Sequence, residues 1–161
     1  MNGRAYRPCV AILLFDVTGR VLIAERNDVK EPVWQLPQGG IDEGEIPRVA
    51  AAREMKEEIG TGKAEFLKEA ARPIRYDLPP ELLTGRWKKK WRGQSVRVVG
   101  FRFTGTDSDI NLDTDEPEFR AWRWTELEEI PDLIVPFKRP LYENAVREFS
   151  EIRDRLRAQV K

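Results

Sequence analysis

The sequence predicts an α/β fold, specifically an α/β/α sandwich with a mixed β-sheet, in a single domain over residues 1–161. Three observations predict it: several short apolar or alternating segments typical of strands, one internal helix, and one long amphipathic helix near the end of the chain. The 161 residues, of which 40% are hydrophobic, are enough to bury a core. No internal repeat and no Gly- or Ser-rich linker divides the chain.

Seven segments have the apolar runs or alternation expected of strands. The first is a continuous apolar run that begins at Cys9, and the turn Thr18-Gly19 joins it to a hairpin partner. The predicted strands are 9–16, 20–25, 34–36, 64–71, 74–78, 95–103 and 119–124. The longest predicted loop is 79–93, and long loops often carry function.

Two segments have helical periodicity. The first helix is predicted over 47–59, because Pro47 suits a helix start and Gly60 suits its end. Its core-facing residues are predicted to be Val49, Ala52, Met55 and Ile59. The second helix is predicted over 137–159, with an apolar stripe formed by Phe137, Leu141, Ala145, Phe149, Ile152 and Leu156.

The first helix also carries the pattern of a metal site. Glu54, Glu57 and Glu58 stand at i, i+3 and i+4, so their carboxylates project from one face and repel one another unless a cation lies between them. A hard divalent cation such as Mg²⁺ or Mn²⁺ meets that need, and it usually completes its shell with water and substrate phosphate. The preceding Gly39-Gly40 pair allows a close backbone approach to a ligand.

Composition excludes several classes of site. The chain has no histidine, which excludes Ser-His-Asp and Cys-His catalysis and all histidine metal ligands. The single cysteine, Cys9, excludes an internal disulfide and begins an apolar run, so we expect a buried structural thiol in a reducing cytoplasm. Basic and acidic residues number 28 each, so no overall charge favours nucleic acid, and no apolar run is long enough to span a membrane.

Residues 39–60 read GGIDEGEIPRVAAAREMKEEIG and resemble the Nudix box, Gly-x5-Glu-x7-Arg-Glu-U-x-Glu-Glu-x-Gly-U, where U is a bulky aliphatic residue. Every fixed position matches; Met55 takes the first U, and Thr61 stands at the second. Segments outside the box resemble a narrower branch, the bacterial RNA pyrophosphohydrolases and the related diadenosine polyphosphate hydrolases. These segments are YRP at 6–8, WQLPQGG at 34–40, RYDLP at 75–79, GQ at 93–94, EPEF at 116–119, WRW at 122–124 and FKR at 137–139.

The resemblance implies a Nudix-type sandwich that hydrolyses a nucleotide polyphosphate chain with two or three Mg²⁺ ions, for which Mn²⁺ can substitute. The metal ligands it implies are Gly39, Glu54, Glu57, Glu58 and Glu118. Its catalytic residues are Glu57, ranked first as general base, Glu118, ranked second, and Arg53, which has the charge to pair with Glu45 and hold the glycine loop against the helix.

For the substrate, the resemblance assigns Arg7 and Lys138 to phosphate neutralisation and Phe137 to stacking on a base, although Phe137 could equally serve the core. Tyr76 and Arg139 complete the substrate-binding set. The segment GRWKKKWRG at 85–93 is either a solvated basic loop, a surface for the trailing RNA chain, or a clamp for the distal half of a dinucleotide.

Three functions are therefore considered. The first is removal of pyrophosphate from the 5′-triphosphate end of RNA. The alternatives are cleavage of diadenosine tetraphosphate to ATP and AMP, and a non-catalytic module that binds nucleotide or RNA. No obligate protein partner and no membrane association is expected.

Overall fold

The computed structural model describes residues 5–85 and 90–160. Eight strands form one sheet in these ranges. The strands are β1 (Ala5–Phe15), β2 (Val21–Arg26), β3 (Trp34–Gln35), β4 (Gln38–Gly40), β5 (Ala64–Glu69), β6 (Ile74–Asp77), β7 (Trp91–Phe103) and β8 (Phe119–Thr125). The helices are α1 (Pro47–Ile59), α2 (Ile130–Leu133) and α3 (Arg139–Ala158), and a 3₁₀ turn, Pro136–Lys138, precedes α3.

The centre of the sheet is the parallel pair β1 and β7, which stay in contact from Ala5–Trp91 to Phe15–Arg102. The other strand pairs are antiparallel: β2 and β4 pair with β1, β5 and β6 pair with β7, and β3 and β8 pair with β2. The predicted mixed sheet is therefore confirmed. Among the described residues, no helix has the length and apolar character needed to cross a membrane.

Each face of β1 supports a different core, because alternate residues of a strand point to opposite faces. Cys9, Ala11, Leu13 and Phe15 pack in a cluster with α3, whereas Val10, Ile12 and Leu14 pack in a cluster with α1. Helices thus cover both faces of the sheet, which confirms the α/β/α sandwich. The buried thiol expected of Cys9 is also confirmed.

The bounds of α1 are as predicted, and it ends at Gly60, whose φ of 74° is the left-handed conformation that glycine favours. Its predicted core face is partly wrong. Val49 is 50% exposed and Ala52 is also exposed. The residues that α1 buries are Ala50, Ala51, Met55, Glu58 and Ile59, because the helix packs on β1 and β4 through that side and turns one carboxylate inward.

Other bounds differ where pairing, rather than local pattern, decides them. Strands β1 and β7 begin four residues earlier than predicted, because their parallel ladder continues as far as Ala5 and Trp91. The segment 38–40 was expected to be a loop and is strand β4, which pairs with residues 9–11 of β1. The short helix α2 was not predicted. A single domain over residues 1–161 stays a prediction.

Candidate active site

The glycine loop is tied to α1 by Arg53. Its Nε and Nη2 atoms donate to the two carboxylate oxygens of Glu45, each at 2.9 Å, and Nη2 also donates to the Gly40 carbonyl at 2.8 Å. This bidentate pairing lowers the pKa of Glu45 to about 2. The expected Arg53–Glu45 pair is confirmed, and it fixes the position of β4 against the helix.

Both glycines of the loop permit close approaches. A Cβ atom at Gly39 would lie 2.0 Å from the carboxyl carbon of Glu54, and one at Gly40 would lie 2.4 Å from Nη2 of Arg7. No real Cβ atom tolerates such distances. The glycine pair therefore brings a carboxylate of α1 and a cation of β1 to neighbouring points of one backbone segment.

The three carboxylates of α1 have different environments. Glu58 is 4% exposed, and its Oε2 accepts a hydrogen bond from the Gln38 backbone N–H at 3.3 Å. Burial, followed by repulsion from Glu118 and Glu54, raises the pKa of Glu58 to about 10. Burial also raises the pKa of Glu54, although Arg53 donates to it at 2.8 Å. The side chain of Glu57 is 57% exposed.

These carboxylates line an acidic cavity of about 570 Å³. Its lining residues are Glu54, Lys56, Glu57, Glu58, Thr114, Asp115, Glu116 and Glu118. Within residues 5–85 and 90–160, no three acidic or cysteine side chains converge tightly enough to coordinate one ion. The ligand roles assigned to Gly39, Glu54, Glu57, Glu58 and Glu118 thus stay predictions.

The chemistry of this donor set nevertheless fits a hard cation. The buried Glu58 and the half-buried Glu54 both interact with Glu118, and burial, followed by repulsion among these carboxylates, raises the pKa values of Glu58 and Glu54. Oxygen ligands of this kind suit a divalent cation. The Gly39 backbone, which the Glu54 carboxylate touches, would leave no room for a larger residue.

A second, basic cavity of about 560 Å³ adjoins the first, and Glu118 lines both. Its charged lining consists of Arg7, Arg26 and Lys138 with Asp28 and Glu118, and Arg26 pairs with Asp28, to which its Nε donates at 2.8 Å. Lys138 is only 9% exposed, and burial, together with repulsion from Arg26, lowers its pKa to about 8. A buried cation facing a cavity is suited to receive a phosphate.

A hydrogen-bonded group of three polar side chains stands beside the basic cavity. The amide of Gln38 donates to Tyr76 Oη at 3.2 Å and to Gln94 Oε1 at 2.9 Å, and Tyr76 donates to the same oxygen of Gln94. Gln38 Oε1 has no partner among the described residues, which leaves one buried acceptor for a ligand. Phe137 packs edge to face against Tyr76, with ring centroids 5.7 Å apart.

The structure thus brings most of the predicted site residues to the two adjoining cavities. Arg139 lies elsewhere: its guanidinium pairs with Asp132 at 2.7 Å and with Glu143 at 3.2 Å. Its substrate role stays a prediction that no contact supports. Of the basic segment 85–93, residues 86–89 lie outside the described residues.

Some cavity residues were not predicted as site residues. Arg26, Gln38 and Gln94 line the basic cavity. Both glutamines lie in motifs that carry the family resemblance, at 34–40 and 93–94, so the sequence could have indicated them as site residues. Arg26 lies outside these motifs, so no sequence pattern indicated its role. It is the last residue of β2, and the pairing of β2 with β8 brings it to the site.

Comparison with known proteins identifies the family. The NUDIX domain family matches residues 5–145. An RNA pyrophosphohydrolase of Rhodospirillum rubrum is 51% identical over 148 residues, covering 92% of this chain and 89% of that protein. One of Dinoroseobacter shibae is 48% identical over 148 residues (91% and 92%), and one of Rickettsia typhi is 44% identical over 147 residues (91% of each).

Solved structures share the fold at low identity. A MutT protein from Methanosarcina mazei Go1 has a TM-score of 0.62 and 21% identity, covering 91% of this chain and 96% of that chain. A C. elegans Ap4A hydrolase binary complex has a TM-score of 0.62 and 19% identity, covering 90% and 98%. The extended family match and the close relatives lead to one conclusion: this chain belongs to the NUDIX domain family of hydrolases.

Proposed function

We propose that this enzyme removes pyrophosphate from the 5′-triphosphate end of RNA and leaves a 5′-monophosphate. The observation that carries the proposal is the contact between the acidic and the basic cavity at Glu118. A polyphosphate chain placed across that contact has carboxylates on one side and Arg7, Lys138 and the Asp28-paired Arg26 on the other. The RNA pyrophosphohydrolases that share about half of its residues support RNA as the substrate.

Nudix hydrolases use divalent metal cations. We propose Mg²⁺, with Mn²⁺ as a substitute, in two or three ions held by Glu54, Glu57, Glu58, Glu118 and the Gly39 carbonyl. When bound, the cations neutralise phosphate charge and make the attacking water more acidic. Their removal by a chelator should stop turnover, and added Mg²⁺ should restore it.

The protein's own residues perform the other tasks. Glu57, the most exposed of the three α1 carboxylates, accepts the proton of the attacking water. The water oxygen forms a new bond to phosphorus in line with the anhydride oxygen, whose bond breaks and whose electron pair leaves with pyrophosphate. Arg7 and Lys138 neutralise the phosphate oxygens, while Arg53 holds the glycine loop and Glu54 in place.

We assign recognition of the first base to the side chains that adjoin the basic cavity at Gln38. The Tyr76–Phe137 pair offers aromatic surface, and the unpartnered Gln38 oxygen offers an acceptor. Stacking on an aromatic side chain contributes roughly 1–3 kcal/mol per base. The expected location of the enzyme in the cytoplasm, where transcripts are made, is part of this proposal.

The test is a paired steady-state assay with Mg²⁺ on 5′-triphosphate RNA and on diadenosine tetraphosphate, with Glu57→Gln as the blank. We expect a higher kcat/KM on RNA, with pyrophosphate and 5′-monophosphate RNA as products. A clear preference for the dinucleotide, yielding ATP and AMP, would replace RNA with that substrate. Tight nucleotide binding without any turnover would favour the non-catalytic binding module.

A further inference from the structure

Two neighbouring rungs of the sheet run across β1, β7 and β6, and two residues of the first rung, Arg7 and Gln94, line the basic cavity. The first rung consists of Arg7, Gln94 and Tyr76, and the second consists of Tyr6, Gly93 and Asp77. Neighbouring rungs are about 3.3 Å apart along the strands. The proposed function uses the first rung and leaves the second without a role.

The second rung is held very close to the first. A Cβ atom at Gly93 would lie 2.0 Å from the Tyr76 carbonyl oxygen, so any larger residue there would push β6 and β7 apart. The phenol of Tyr6 donates to Asp77 at 2.6 Å and thereby joins the outer ends of β1 and β6. The bond fixes Tyr6 at the end of β1, one residue before Arg7. Because alternate residues of a strand point to opposite faces, the Tyr6 ring lies on the other face of the sheet from Arg7, and an RNA chain that leaves the basic cavity would reach it across the end of the sheet.

Cationic groups gather on this rung. The guanidinium carbons of Arg92 and Arg75 lie 5.1 Å and 5.6 Å from the centroid of the Tyr6 ring. In the two residues that precede Arg92, Lys90 Nζ lies 5.0 Å from the ring of Trp91. We call this group the Tyr6 platform; it comprises Tyr6, Arg75, Lys90, Trp91 and Arg92.

Fold stability does not account for the platform. Two cations, Arg75 and Arg92, lie over the Tyr6 ring, and Asp77 pairs with Arg92 and accepts from Tyr6, in a chain whose overall charge is zero. The Arg92–Asp77 pair is partly exposed, at 3.1 Å, and exposed ion pairs of this kind contribute little to the stability of a fold. Moreover, the buried Nε of Arg92 has no hydrogen-bond partner among the described residues. An unsatisfied donor costs stability, and rotation of the guanidinium towards a phosphate would satisfy it.

We propose that the Tyr6 platform binds the backbone phosphates of the RNA chain that follows the nucleotides held in the basic cavity. The proposal rests on the proposed function. An arginine stacked on an aromatic ring keeps the N–H groups at its edge, and these groups match phosphate oxygens. Aromatic and cationic side chains in one groove are characteristic of sites that bind single strands without reading sequence.

The test compares two RNA lengths. Arg75→Gln/Arg92→Gln removes two cations outside the proposed catalytic set, and Arg102→Gln/Arg155→Gln is the matched control. Arg102 and Arg155 are surface arginines paired with Glu65 and Glu151, so the control makes the same change of charge away from the platform. Wild type and both variants are assayed on 5′-triphosphate RNA of two and of ten nucleotides.

We expect kcat/KM on the ten-nucleotide RNA to fall about tenfold at 0.15 M salt in the platform variant, because two phosphate contacts are lost. Each lost contact should reduce the slope of log(kcat/KM) against the logarithm of the salt concentration by about 0.7. On the two-nucleotide RNA, kcat/KM of the platform variant should stay within about twofold of the wild-type value. Arg75→Lys/Arg92→Lys keeps both point charges and should therefore restore much of the salt dependence. Equal losses on both lengths, or no loss on the longer one, would overturn the proposal.

A binding measurement separates this proposal from the proposed function. Fluorescence anisotropy with a labelled 5′-monophosphate RNA of ten nucleotides requires no turnover. If wild type fails to hydrolyse triphosphate RNA, the proposed function fails, yet weaker binding of the ten-nucleotide RNA by the platform variant alone still supports the platform. If hydrolysis proceeds and all variants bind this RNA equally, the platform is wrong and the function stands.

Discussion

Lys138 should destabilise the folded protein, because it is a buried cation whose proposed partner is a substrate phosphate. Its side chain lines the basic cavity, and burial lowers its pKa from 10.5 to about 8. At about 1.36 kcal/mol per pKa unit, that change corresponds to about 3 kcal/mol against the charged form. Replacement by methionine keeps a long unbranched side chain and removes the charge.

The sign of the pH dependence follows from linkage. Below pH 8 the lysine is charged in both folded and unfolded chains, so the folded state bears the whole cost. Between pH 8 and 10.5 the unfolded chain retains a proton that the folded chain has lost, so stability rises with pH. Lys138→Met should therefore be more stable than wild type by up to about 3 kcal/mol at pH 7, and the difference should shrink to near zero above pH 10.5.

Urea unfolding with a chelator present, at pH 7 and at intervals up to pH 10.5, measures this difference. For a chain of this size, about 3 kcal/mol corresponds to a rise in Tm of roughly 6–12 °C. Lys63→Met is the matched control, because the side chain of Lys63 is 61% exposed and should change stability by less than about 0.5 kcal/mol.

Other groups near Lys138 titrate in the same range, so only the difference in stability between variant and wild type reports on the lysine. Cys9 and Glu58 favour the charged lysine and Arg26 opposes it. The reasoning is refuted if Lys138→Met is no more stable than wild type at pH 7, or if the difference stays constant up to pH 10.5. The same variant should lose activity, since it lacks one of the proposed phosphate-neutralising charges.

Three further variants test the acidic side of the site. Glu57→Gln should fold normally and lose about 10²- to 10⁴-fold in kcat; a near wild-type rate would exclude Glu57 as the base. Gly39→Ala should raise the Mg²⁺ concentration needed for activity, because its Cβ would lie 2.0 Å from the Glu54 carboxyl carbon. Gly62→Ala is its control, since it meets only the flexible Lys56 side chain at 3.3 Å. Arg53→Lys keeps the charge but loses bidentate pairing, and should lower the free energy of unfolding, measured in urea, by roughly 1–2 kcal/mol.

Local periodicity was enough to predict α1 and the spacing of its carboxylates, because both follow from 3.6 residues per turn. It was not enough to predict which side of α1 is buried. Val49 is apolar and stands at 50% exposure, whereas the charged Glu58 is buried. The side of α1 that is buried depends on its packing against β1 and β4, and the helix sequence alone does not predict that packing.

Local sequence patterns predict even less of the basic cavity. Its cations come from separate places along the chain: Arg7 from β1, Arg26 from the end of β2 and Lys138 from the turn before α3. Arg7 and Lys138 were reached through family resemblance, which carries information about tertiary placement. Arg26 lay outside every quoted motif, so only strand pairing brought it to the site.

The glycine loop explains why charges from both sides of the sheet can meet at one place. Segment 36–40 is held from α3 by Tyr142, whose buried hydroxyl accepts the N–H of residue 36 at 2.8 Å. It is held from α1 by Glu58, which accepts an N–H, and by Arg53, which donates to a carbonyl. A backbone segment that is hydrogen-bonded on both faces is already ordered, so it loses little conformational entropy when substrate binds. The position of Gly39, which lines the basic cavity and touches Glu54 of the acidic one, is thus set by the fold, and the side chains around it need only supply charge.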